Sequence, residues 1–221
     1  MTTKALSILS ITATLSLAGT SDAAFIKAGW NMAGLTGTEA SVAGIGIGVT
    51  ALNATRGAGL TGSSGANSMS AAGWTGQATD YFSFGFTVNA GDFLNLTSLS
   101  IGTRASGTGP GAMGLFYSGD NFTTALGTIA QGNGTFVNSV IDLSSLQGLT
   151  GTVEFRLMAI GTVSAGGGVT SSTGTLRLTN FFSGSPSVDQ GGFFFLGETV
   201  PAPGAMALLG VAGLCANRRR R

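Results

Sequence analysis

The 221-residue chain is 43% hydrophobic and only 9% charged, against ~25% charged in an ordinary soluble domain, and 38 of its residues are glycine. Fourteen phenylalanines supply a core, while glycine with abundant Ser, Thr and Asn points to many strands joined by tight turns rather than to disorder. The formal charge of +1 sits at the ends: without Lys4, Asp22 and the four terminal arginines, five basic residues face eight acidic ones, about −3, which leaves no basic stripe and excludes nucleic acid as a partner.

At the N-terminus, Lys4 precedes an apolar run from Ala5 to Gly19, and Ser21-Asp22-Ala23 places small residues at the −3 and −1 positions of a cleavage site. This is the order of a secretory signal helix, residues 1–23, cut after Ala23 or after Ala24. Export calls for the secretion translocon.

A body follows over residues 24–199. Its signal is alternation with period two, as in half-buried strands. Val42–Leu52 is the first candidate strand, and the Gly/Ser-rich stretch Gly57–Gly73 reads as a mobile loop. Phe82, Phe84, Phe86 and Val88 then face one way, with Ser83, Gly85 and Thr87 between them. In Phe93–Ile101 the apolar positions shift from Leu94 and Leu96 to Leu99 and Ile101, which predicts a bulge. Ala112–Tyr117 and Thr135–Leu143 come next, then Val153, Phe155 and Leu157 alternating with Glu154 and Arg156, then Leu176 and Leu178, and last Phe193–Leu196. Gly, Asn, Asp and Pro clusters separate these segments. Eight or more short strands without helical periodicity predict an all-β antiparallel sandwich, jelly-roll-like, with the Phe82–Phe86 and Val153–Leu157 faces inward.

The tail, residues 200–221, opens on Val200, Pro201, Ala202, Pro203 and Gly204, continues through an apolar stretch from Ala205 to Ala216, and ends in Arg218, Arg219, Arg220 and Arg221. As a helix of about 14 residues it spans about 21 Å against ~30 Å of hydrocarbon, a short membrane helix whose arginines snorkel at a cytoplasmic stop.

This tail resembles a PEP-CTERM sorting signal, with Ala202 where that family usually has glutamate. The resemblance implies export, transient anchoring in the inner membrane, processing near Val200–Gly204 by an exosortase, and transfer to the cell surface or extracellular matrix. Asp80–Val88, Leu94–Ile101 and Gly174–Asn180 are similar to strands in the body of such proteins, a body resembling sandwich-type carbohydrate-binding modules in fold.

Chemistry is sparse. Without histidine there is no Ser-His-Asp or Cys-His arrangement, and the single cysteine, Cys215, forms no internal disulfide. Gly57-Ala58-Gly59-Leu60-Thr61-Gly62 matches G-x-G-x-x-G with Asp80 downstream, but the residues after it would not hold the helix that a nucleotide site needs. Asp80, Asp92, Asp120, Asp142 and Glu154 are the candidate acids for glycoside hydrolysis, and none sits in a motif. Asp120, Asn121 and Asp142 are the oxygen donors for which calcium is a candidate. Glu154 and Arg156 read as a solvent face. Trp30, Trp74, Tyr81 and Tyr117 are either a sugar-stacking platform or core-edge packing, with packing favoured. No catalytic, cofactor or metal residue is assigned. The expectation is a non-enzymatic surface or matrix protein associated with extracellular polysaccharide, with a lectin-like module as the alternative and a polysaccharide-acting enzyme behind it.

Overall fold

A computed structural model describes residues 25–180 and 192–201. In chain order the strands are β1 (Phe25–Trp30), β2 (Ser41–Val42), β3 (Gly44–Gly46), β4 (Val49–Arg56), β5 (Thr61–Gly62), β6 (Met69–Ala72) and β7 (Tyr81–Val88). They continue as β8 (Asp92–Ala105), β9 (Ala112–Tyr117), β10 (Gly127–Ala130), β11 (Phe136–Asp142), β12 (Thr152–Ala159), β13 (Thr175–Thr179) and β14 (Phe193–Pro201). One 3-10 turn, Ser118–Asp120, follows β9. No helix among the described residues is long and apolar enough to cross a membrane. The signal segment with Ala23 and Ala24, and the tail from Ala202 through Arg221, lie outside the described residues.

All strand pairs are antiparallel and form two sheets. One runs β10-β9-β12-β7-β4-β2, and the other holds β3, β1, β14, β8, β13, β6, β5 and β11. The 14-residue β8 is the spine of the larger sheet. It pairs with β11 through residues 98–104 on one edge, and on the other with β14 through residues 92–100 and β13 through residues 102–105. From β7 to β13 the chain changes sheet at every connection except β9 to β10.

The two faces read from alternation meet in the interior. Phe82, Phe84, Phe86, Phe155 and Leu157 have no exposed surface, and Val153 has 3%. The predicted bulge is present. Leu196 lies opposite Ser98 and Gly197 opposite Leu96, so Thr97 is skipped, and Leu94 and Leu96 before it and Leu99 and Ile101 after it all point inward.

Two expectations fail. Val42–Leu52 is not one strand, because the chain reverses at Gly48 (φ +72°), sending β3 to the larger sheet and β4 to the smaller. The glycines at this corner are also spatial necessities: a Cβ on Gly44 would lie 2.6 Å from Trp30 Nε1. Gly57–Gly73 is not a loop, for it contributes β5 and β6, and Met69 and Ala71 are fully buried. Pairing with β13, which no local pattern announces, orders this segment. β14 runs on to Pro201, with Val200 paired with Phe93 and Pro201 with Asp92.

Trp30 and Trp74 are core residues, 2% and 0% exposed, and form no platform. Trp30 Nε1 donates to Leu52 O across the sheets at 2.8 Å, and Trp74 Nε1 donates to Ala71 O at 3.0 Å. Arg56 ties the sheets at an open edge, donating from Nε to Ser70 O of β6 (2.9 Å) and from Nη2 to Gly37 O (2.6 Å).

Phe155 packs against Phe84, Phe86, Tyr117 and Phe195, with ring centroids 4.7–6.4 Å away. Phe155→Ala should lower the urea unfolding free energy by about 3–5 kcal/mol, and Phe155→Asp should leave no cooperative transition because it buries an unpaired charge. Val140→Ala, at a site 63% exposed, should change little. A folded Phe155→Asp protein would show that this face is not interior.

Candidate functional site

The outward positions of the smaller sheet follow from the register. Because Phe82, Phe84 and Phe86 point in, Tyr81 and Ser83 point out, as do Glu154, Arg156 and Met158 of β12 and Phe116 of β9. Arg156 lies opposite Ser83 on one side and Phe116 on the other, and Met158 lies opposite Tyr81 and Gly114.

Arg156 organises this face. Its guanidinium carbon lies 4.2 Å from the Tyr81 ring centroid and 3.9 Å from that of Phe122, a cation held between two aromatic rings. Its Nε donates to Glu154 Oε1 at 2.8 Å, and that oxygen also accepts from Ser83 Oγ at 2.9 Å. The ion pair is about 30% exposed on both sides and so adds little to stability. It fixes orientation instead. Among the described residues no hydrogen bond occupies the Arg156 Nη groups or Glu154 Oε2. The solvent-face reading of Glu154 and Arg156 is right in its side of the sheet, and Tyr81 joins them there. Tyr117 is core-edge, half-buried against Phe155 at 5.7 Å.

Phe122 is invisible to strand periodicity because it lies in the turn after β9. Asn121 and Phe122 both have φ +59°, a left-handed conformation that is an outlier for a bulky aromatic and costs about 1–3 kcal/mol. The turn imposes it. Asn121 N donates to Ser118 O at 3.1 Å and Phe122 N to Tyr117 O at 2.9 Å. Asp120 accepts from Thr123 N on Oδ1 (3.2 Å) and from Thr124 N on Oδ2 (3.0 Å). Ser118 Oγ in turn accepts from Glu154 N at 3.0 Å, docking the turn onto β12. The hydrogen bonds of the turn, against that strain, hold the Phe122 ring over Arg156.

Two glycines let rings lie down on the sheet. A Cβ on Gly57 would lie 2.8 Å from the Tyr81 ring, and one on Gly114 would lie 2.7 Å from the Phe116 ring. Gly59 likewise abuts Asp80 Oδ1, where a Cβ would sit 2.0 Å away. The G-x-G-x-x-G match thus lies against residues 79–81 and opens no helix.

The candidate acids lie on separate elements. Asp80 is 2% exposed and its Oδ2 accepts from Thr75 N and Gln77 N, both at 2.9 Å. Asp92 opens β8, Asp120 closes the 3-10 turn, Asp142 ends β11 and Glu154 is on β12. The carboxylates considered for calcium are engaged in their own turns, Asp120 as above and Asp142 through Oδ1 to Ser144 N at 2.9 Å. Among the described residues no group of three His, Cys, Asp or Glu is placed to hold a metal ion. On the larger sheet a groove of about 370 Å³ is lined by Ile26, Ile45, Ile47 and Phe194, with the Asn31 and Asn180 amides at its rim.

No family model matches the chain, and no curated protein does. Among solved structures, a point mutant of a family 29 carbohydrate-binding module overlaps 82% of this chain and 89% of its own at 15% identity, TM-score 0.40. Another mutant of that module, complexed with mannohexaose, overlaps 82% and 95% at 14% identity, TM-score 0.39.

The Asp120 turn makes the Phe122 clamp pH-dependent. Desolvation disfavours the Asp120 charge, but the hydrogen bonds from Thr123 and Thr124 outweigh it and hold the carboxyl below its ordinary value of 3.8. A depressed folded pKa means that the turn is fully held above about pH 4 and is lost as pH falls through the lower folded value. The Thr123 and Thr124 amide resonances should therefore stay constant from neutral pH to about pH 4 and move towards the random-coil position below it. In Asp120→Ala the ring-current-shifted Arg156 Nε–H resonance should be displaced already at neutral pH. An unmoved resonance in that variant would show that the turn does not position Phe122.

Proposed function

We propose that this chain is a non-catalytic polysaccharide-binding protein, exported and held transiently at the membrane before release to the cell surface or matrix. The observation that carries the binding reading is the Tyr81–Arg156–Phe122 stack with Glu154 and Ser83 beside it. Sugars are bound by aromatic rings against their C–H faces and by polar groups against their hydroxyls, and this face offers both within one patch. Arg156 Nη donors and the Glu154 Oε2 acceptor supply the hydroxyl partners. The strain at Phe122 supports the reading, since backbone strain persists where surrounding structure over-determines it for a purpose.

Relative to the sequence expectation, binding moves from the alternative to the main reading, while export and the surface location are kept as part of the proposal. The engagement of Asp80, Asp120 and Asp142 in hydrogen bonds of their own turns supports a non-catalytic role. The signal-like N-terminus and the Val200–Gly204 tail with Arg218–Arg221 support export and exosortase processing. A cut after Ala23 or Ala24 leaves every described strand intact, because β1 opens at Phe25.

Affinity electrophoresis against soluble neutral β-glucans and β-mannans tests the binding site. At least one polymer should retard the protein without being shortened. Tyr81→Ala and Phe122→Ala should each weaken retardation about tenfold, the equivalent of ~1.4 kcal/mol, and Thr152→Ala on the same sheet should not. Retardation indifferent to both aromatic substitutions would remove this face from the reading, and depolymerisation would refute a non-catalytic role.

Mass spectrometry of the exported protein tests the route. The mature chain should begin at Ala24 or Phe25 and, in a host with an exosortase, end near Pro201–Gly204. Exported protein that keeps Met1 or Arg221 there would sink the processing scheme.

A further inference from the structure

The larger sheet carries a charge arrangement that the proposed site does not use. Arg177 of β13 lies directly opposite Arg104 of β8 in antiparallel register, and Phe136 of β11 lies opposite Arg104 on the other edge. Leu176, Leu178, Thr103 and Ala105 are fully buried, so both arginines occupy outward positions of one row, Phe136–Arg104–Arg177. Like charges directly opposite in an antiparallel pair are destabilising, and a chain with so few charges has no shortage of alternatives.

Nothing described compensates the pair. The one ion pair among the described residues is Arg156 with Glu154, on the other sheet. Arg104 Nε donates to Gly134 O at 2.8 Å, and its guanidinium lies 5.4 Å from the Phe136 ring. Arg177 Nη2 reaches Ser64 O at 3.4 Å. A Cβ on Gly65 would lie 2.7 Å from Arg177 Nε, so the glycine makes room for the guanidinium. Burial, and then the charge of Arg104, push the Arg177 pKa down, and no acid among the described residues forms an ion pair with it. Among the described residues both heads meet neutral carbonyl oxygens, which leave their charge unmatched.

We propose that the Phe136–Arg104–Arg177 row recognises carboxylate groups carried on an acidic, uronate-type polysaccharide, at a site separate from the Tyr81–Arg156–Phe122 face. That the polymer is a polysaccharide rests on the function proposed above. The carboxylate follows from the chemistry of the row. A guanidinium presents a planar fork of donors that matches a carboxylate in two parallel hydrogen bonds. Phe136, 37% exposed at one end of the row, adds an apolar edge beside the charges, as a sugar acid requires and a bare ion does not. The net negative charge of the body opposes a polyanion only weakly, since exposed charges beyond about 8 Å are screened at physiological ionic strength. The local pair decides.

The full chain is assayed by affinity electrophoresis against polygalacturonate and against the same polymer fully methyl-esterified, which removes only the charge. Polygalacturonate should retard it, and the ester should not. Arg104→Gln and Arg177→Gln should each weaken retardation about tenfold or more, as loss of a charge-assisted hydrogen bond does, with partial rescue in Arg177→Lys. Arg177→Gln should melt at or above the parent temperature, because it removes a repulsion. A fall of more than about 5 °C would assign the arginines a structural role and overturn the proposal, as would equal retardation of the variants. Equal capture by polyglutamate or by phosphatidylglycerol vesicles would overturn the polysaccharide as occupant. Tyr81→Ala separates the two readings. If it abolishes neutral-polymer binding and spares polygalacturonate, the sites are distinct as proposed. If neutral polymers bind through Tyr81 and polygalacturonate does not bind, only this inference fails; if no polymer of either kind binds, the function it rests on fails as well.

Discussion

Six aromatic rings drawn from both sheets meet in one interior stack, and the arrangement of the rest of the protein follows from it. Trp30, Phe193 and Phe195 descend from the larger sheet; Phe84, Phe86 and Phe155 rise from the smaller. Phe84 meets Phe193 edge-on at 4.7 Å, Phe155 meets Phe195 at 4.7 Å, and Trp30 touches Phe84, Phe193 and Phe195 within 6.0 Å. Such contacts add about 0.5–1.5 kcal/mol each beyond the area they bury. With no disulfide and one ion pair among the described residues, burial of these rings is the principal force that holds two sheets face to face.

The stack also sets where function can be. Each strand that commits one face to the rings exposes the other, so Tyr81 is outward because Phe82 is inward, and Arg156 is outward because Phe155 and Leu157 are inward. The two outer faces then solve the problem of a lone cation in opposite ways. On the smaller sheet Arg156 is neutralised by Glu154 and enclosed by rings. On the larger sheet Arg104 and Arg177 are set against each other. The first cation has its acid beside it, and the second pair meets only neutral oxygens among the described residues. Glycine makes both possible, by letting Tyr81 lie over Gly57 and the Arg177 guanidinium lie beside Gly65.

The candidate site was legible only in part. Glu154 and Arg156 could be placed on an outer surface from alternation alone, whereas Tyr81 was expected as core-edge packing. Their convergence could not, because it depends on which strands are neighbours: β12 lies between β7 and β9, although it follows β7 by more than sixty residues. Phe122 gave no signal. Its position depends on a left-handed turn formed by residues with no glycine at the strained sites, and the nearest cue was Asp120 followed by Thr123 and Thr124, a turn signature that says nothing of a ring above an arginine. The Arg104–Arg177 pair was equally hidden, since opposition across strands more than seventy residues apart is a matter of register.

Period-two alternation by itself determined the class of fold, the inward faces of β7 and β12, and the bulge in β8, because each is a local consequence of side chains pointing alternately to either side of a strand. Histidine and cysteine content by itself excluded whole chemistries. Only the tertiary structure decided that Gly57–Gly73 is ordered, that the segment from Val42 to Leu52 divides between sheets, and which outward residues share a patch. Those outcomes are fixed by pairing between distant segments, where a Gly/Ser-rich stretch with little propensity of its own is held by its neighbour's hydrogen bonds. Local sequence encodes which way a side chain points, whereas register and sheet order encode what it meets.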